Sequence, residues 1–100
     1  MVNVILKTAL KNAVVRTNPA NNYEFHLNNI SINGDKRGCS GFIKNPTNNK
    51  IVYICTEISP LCKNKLLIRY AKSLTDYTGE QNQFANSKGE LTETIIAMLA

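Results

Sequence analysis

Within Lys36-Arg37-Gly38-Cys39-Ser40-Gly41 the chain packs two cations, two glycines, a thiol and a hydroxyl into six residues. Glycines let backbone amides turn toward an anion, and the cations would hold it. Positive neighbours would also draw the Cys39 thiol toward thiolate, the nucleophilic form. The spacing matches neither a phosphate loop nor the strand–turn–helix serine elbow. The hexapeptide therefore reads first as a basic turn between strands. An anion or nucleic-acid contact is the second reading, and a reactive cysteine the last.

His26, Cys39, Cys55 and Cys62 are the soft metal ligands available. Zinc sites present closely spaced pairs, whereas six residues separate Cys55 from Cys62. His26 is the sole histidine, on the polar phase of its segment, and the sequence offers it no evident carboxylate partner. Neither a metal site nor a catalytic diad is expected, and no cofactor. The chain reads as a non-enzyme.

The charge distribution is the most informative feature. Residues 1–72 carry eleven of the twelve Lys and Arg against Glu24, Asp35 and Glu57, a balance of +8. Residues 73–100 carry Lys88 against Asp76, Glu80, Glu90 and Glu93, a balance of −3. Such a split points to one basic working face and an acidic or polyanionic partner.

One hundred residues with 43% hydrophobic content suit one domain with one modest core. Lys7 and Lys11 interrupt the apolar N-terminal stretch, so no signal peptide is expected, and no run suits a membrane span. Three cysteines without a secretion signal suggest reduced thiols and a cytoplasmic protein. Fourteen asparagines predict many tight turns.

These residues need elements to position them. Val2, Ile5, Leu6, Ala9, Leu10 and Ala13 recur at helical spacing, with an extended segment expected from Val14. Tyr23, Phe25 and Leu27 alternate as a strand, and the change of phase at Asn28-Asn29 predicts a bulge or turn there. Asn33-Gly34-Asp35 marks a turn. Residues 39–44 and 50–58 form a hairpin around Asn45-Pro46-Thr47-Asn48-Asn49. Ser59-Pro60 closes its second arm, and 65–72 is a further strand. Residues 73–87 read as a long polar connection. Ser87 and Glu90 then form a capping box ahead of Leu91, Ile95, Met98 and Leu99.

The expected fold is α+β: a small antiparallel sheet of four to five strands with N- and C-terminal helices packed on one face. The pleat would turn Ile43, Val52, Ile54, Ile58, Leu66, Ile68 and Tyr70 toward the helices. Phe42, Lys44, Tyr53, Cys55, Glu57, Leu67, Arg69 and Ala71 would face away. Aromatic rings among cations on an open sheet can stack bases and neutralise phosphates. The candidate partner-binding residues are therefore Lys36, Arg37, Phe42, Lys44, Tyr53 and Arg69. The 76–84 loop, with Tyr77 and Phe84, is the alternative surface, unless those rings anchor the loop to the core.

The composition suits a small intracellular binding protein, an accessory protein or inhibitor of the kind that phages and plasmids encode. Its target would be an acidic surface of a host protein, or the nucleic-acid groove of a nuclease, as in anti-CRISPR inhibition. Direct nucleic-acid binding through the same face is the alternative, and no membrane partner is expected.

Overall fold

The computed structural model describes residues 4–32, 34–56, 66–76 and 81–100, with the side chains of residues 32 and 35–37 left aside. Seven elements follow in order. They are helix α1 (Lys7–Thr17), strands β1 (Glu24–Ile32), β2 (Asp35–Asn45), β3 (Lys50–Cys55), β4 (Leu66–Ala71) and β5 (Gln83–Ala85), and helix α2 (Lys88–Leu99). The strands form one antiparallel sheet in sequential order, β1 and β5 at its edges. Both helices pack on one face, as the α+β reading expects.

Pleating sorts the strands as the alternation implies. Ile43, Val52, Ile54, Leu66 and Ile68 join Leu10 and Val14 of α1 and Leu91, Ile95 and Leu99 of α2 in the main core, with Tyr70 packed against it. The opposite face holds a second, smaller cluster of Cys55 and Leu67, packed with Ile30, Tyr53 and Phe84. That face is therefore only partly open. Ile58 and Glu57 lie outside the described residues.

The N-terminal helix departs from the expectation. It begins at Lys7 and runs to Thr17, so Val14 and Val15 are helical rather than extended. Burial decides this: Leu10 and Val14, four residues apart, both enter the core at zero exposure. A modest β-branched penalty is small beside that gain. Ile5 is buried ahead of the helix, and the fully buried Thr56 hydroxyl donates to its carbonyl oxygen at 3.1 Å. Leu6 offers no side-chain cap, and Asn29 of β1 supplies one, its Oδ1 accepting from Lys7 N at 2.9 Å.

The phase change in β1 likewise has another cause. Pairing runs unbroken through Asn28 and Asn29, and the register shifts at Ile30/Ser31, where Arg37 of β2 is the extra residue. Leu27 packs on the helix side and Ile30 on the other cluster, so the chain keeps its phase while the apolar set changes face. Ile32 pairs with Asp35 across Gly34, whose φ of 84° fits the expected tight turn, while Asn33 is outside the described residues. Gly41 is buried at φ 144°, and a Cβ there would strike the β1 backbone at His26 O.

The 45–50 hairpin is as expected, with Asn45 paired to Lys50 and Asn49 at φ 62°. Its asparagines do more than turn the chain. Asn45 and Asn48 donate through Nδ2 to Leu99 O at 2.7 and 3.0 Å, and Lys50 Nζ donates to Ala100 O at 2.5 Å. The turn thereby satisfies carbonyls that the last turn of α2 leaves free. At the other end of α2, Ser87 Oγ accepts from Glu90 N at 3.1 Å, the expected cap. The stretch expected to be a plain connection contains β5, which pairs Leu67 with Phe84 and Leu66 with Ala85. Ser59-Pro60 lies outside the described residues. Among the described residues, no helix is long and apolar enough to cross a membrane.

Candidate functional site

Four residues line up across the sheet on the side away from the helices. His26 of β1 pairs with Phe42 of β2, Phe42 with Tyr53 of β3, and Tyr53 with Arg69 of β4. Neighbouring strands lie about 4.8 Å apart, so the row spans roughly 14 Å. The Phe42 and Tyr53 rings meet at 5.3 Å between centroids, tilted by 54°. On the other side of Tyr53, Arg69 Cζ lies 5.2 Å from its ring centroid, a cation–π contact. Arg69 Nε is buried with no hydrogen-bond partner among the described residues. Such atoms are uncommon in folded proteins.

Beside the row is a depression of about 470 Å³ lined by His26, Asn28, Ser40, Gly41, Phe42, Tyr53 and Leu74. Its floor is strand, so its shape is fixed by the ladder, while Leu74 comes from the segment after β4. His26 does have a carboxylate partner, contrary to the sequence reading: Glu24 Oε1 lies 3.5 Å from its Nε2. Residues two apart on one strand share a face, which makes this pairing available wherever both are outward.

Of the six candidate residues, Phe42, Tyr53 and Arg69 are brought into contact. Lys44 is on the same face, two positions from Phe42 and opposite Glu24. Lys36 and Arg37 are on β2 at the far end of the ladder, past the register shift, and their side chains lie outside the described residues. Six to eight residues of strand separate Lys36 from Phe42 and Lys44, roughly 20 and 26 Å.

Among the described residues the positive charge is not gathered on this face. Lys7, Lys11 and Arg16 are exposed on α1, and Glu90 and Glu93 are exposed on the neighbouring α2. The basic and acidic parts of the sequence thus meet within the helical layer. Among the described residues, the sheet face receives Lys44 and Arg69 together with Glu24.

Cys39 is fully buried in the main core, where its amide donates to Thr56 Oγ1 at 2.8 Å. Burial pushes its thiol up from the ordinary range. The Thr56 hydroxyl opposes that and nearby Cys55 adds to it. Burial and the raised direction of its titration both run against a thiolate at this position. Cys39 and Cys55 are free thiols, and Cys62 is outside the described residues. No group of three potential metal ligands assembles among the described residues. Phe84 of the alternative loop belongs to β5 and packs in the outer cluster, while residues 77–80 are not described.

No protein-family model, curated protein or solved structure matches this chain.

Proposed function

We propose that this chain is a non-enzymatic binding protein whose sheet face, centred on Phe42, Tyr53 and Arg69, docks an acidic protein surface. The observation that carries the reading is Arg69: its guanidinium is braced against Tyr53 while its Nε is buried without a hydrogen-bond partner among the described residues. A carboxylate from a partner reaching the half-buried Arg69 side chain would meet a guanidinium already held in place, at little ordering cost. Tyr and Arg, with the apolar Phe42 beside them, are the residue types that dominate binding energy in protein interfaces. The shallow depression next to the row suits a protruding side chain of the partner. An accessory protein or inhibitor directed at a host protein or a nuclease is the role that fits such a surface, with Lys44 adding long-range attraction.

Nucleic acid is the second reading, favoured by the net charge of +5 and by two rings on a sheet. Co-purification from the native host with and without nuclease treatment separates the two. A protein retained after nuclease digestion, and lost with both Arg69→Gln and Tyr53→Ala, is the expected outcome. Each substitution should weaken that complex by about 2 kcal/mol or more, roughly thirtyfold. A complex that dissolves on digestion would move the conclusion to nucleic acid. A protein complex indifferent to both substitutions would remove this face from consideration.

A further inference from the structure

The cleft between α1 and β1 is separate from the sheet-face row and has its own chemistry. It encloses about 320 Å³ and is lined by Lys7, Thr8, Lys11 and Asn12 of the helix and by Phe25 and Leu27 of the strand. Phe25 and Leu27 point to the helix-covered side, yet they remain partly exposed, whereas Ile43 one strand further in is fully buried. The helix layer therefore stops short of the sheet edge and leaves an apolar floor uncovered. Lys11 Nζ stands 5.6 Å from the centroid of the Phe25 ring.

The electrostatics of this cleft are unbalanced. Lys7 and Lys11 are like charges four residues apart on one helix, an unfavourable pairing. No acid lines the cleft, and α1 has none in its first turn. Glu24, the acid nearest along β1, is turned to the opposite face, where it meets His26. Neither lysine has an ion-pair partner among the described residues. A dianion placed between the two ammonium groups would relieve their repulsion, and an apolar body attached to it would cover Phe25 and Leu27. Thr8 and Asn12 supply hydrogen-bonding groups at the rim.

We propose that the α1–β1 cleft is a binding site for a small organic phosphate monoester with a ring-sized apolar body. A phosphate monoester carries close to two negative charges at neutral pH, matching two lysines. The cleft volume falls at the small end of small-molecule sites, which suits a metabolite-sized ligand rather than a polymer.

The test uses the whole chain with phenyl phosphate as the probe, read by amide chemical shifts, with inorganic phosphate and phenol as the two halves. Phenyl phosphate should move the amides of residues 7–12 and 25–27 and bind at least tenfold more tightly than either half. Lys7→Ser with Lys11→Ser should reduce that affinity at least tenfold, and the exposure of both side chains should keep the fold intact. Phe25→Leu should bring phenyl phosphate down toward inorganic phosphate. Phosphate binding as well as phenyl phosphate would overturn the proposal, because the floor would then contribute nothing. So would shifts confined to residues 42, 53 and 69, or no shifts at all. The substitutions used here touch neither Phe42, Tyr53 nor Arg69, so failure here leaves the proposed protein interface standing.

Discussion

On the helix-covered side of the sheet, Ile43, Val52, Ile54 and Ile68 have no exposure at all, and the side chains packed on them come from both helices. On the other side of the same strands, Phe42, Tyr53 and Arg69 are half-buried and packed chiefly on one another. The first face reaches aliphatic close packing, the state in which loss of volume is costly. The second keeps a small apolar patch, Cys55 and Leu67, beside rings and a cation whose Nε has no hydrogen-bond partner among the described residues. One face holds the fold together. The other is the face proposed for a partner.

The strongest way to break this comparison is Ile95→Asp. It puts an unpaired charge where α2 meets the sheet and should cost on the order of 4–5 kcal/mol, much of a small domain's stability. Urea or thermal melting checks it, and a variant that melts like the parent would mean α2 does not seal the core. Leu67→Ala on the opposite face should cost less, about 2 kcal/mol, because its cluster is small and bordered by solvent. Equal losses for Leu67→Ala and Ile54→Ala would erase the distinction between the faces.

The two described thiols sharpen it further. Cys39 is on the helix side at zero exposure and Cys55 on the other at 9%. Site-resolved mass spectrometry of native protein should find Cys39 alkylated roughly tenfold more slowly, since buried thiols are inert. The raised Cys39 pKa adds a pH effect of defined sign. Its stabilising contribution is present below the ordinary thiol range and is lost as pH rises toward the folded value. Stability should therefore decline on the alkaline side, and Cys39→Ala should flatten that decline.

The smallest effect belongs to Arg69→Gln. Removing a guanidinium whose Nε is buried and unpartnered should change stability by less than about 0.5 kcal/mol. A large loss on melting would reassign Arg69 from recognition to structure.

Much of the sheet was legible in advance, because side chains alternate with a period of two along each strand. Ile43 in and Phe42 out, or Ile54 in and Tyr53 out, followed from that alone. The row itself was only half visible. Phe42, Tyr53 and Arg69 could be placed on one face, but their contact depends on the pairings Phe42–Tyr53 and Tyr53–Arg69. His26 went unnoticed as a member, although its spacing from Glu24 on an outward phase was a usable signal. The span from Gln83 to Ala85 is too short to show a period, and it became a strand because β4 offered an edge to pair with.

The sequence by itself determined the α+β class, the 45–50 turn, the Ser87 cap and the faces taken by Phe42, Ile43 and the residues of β3 and β4. These depend on neighbours within a few positions, where spacing and turn chemistry act directly. Tertiary structure decided where α1 begins and ends, because Thr56, fifty-one residues from Ile5, bonds that residue's carbonyl while the core draws in Val14. It also buried Cys39 in the core and turned Asn45 and Asn48 into the cap of a distant helix. Burial and long-range hydrogen bonds outweigh local preference, and neither can be read from residues that are adjacent only in sequence.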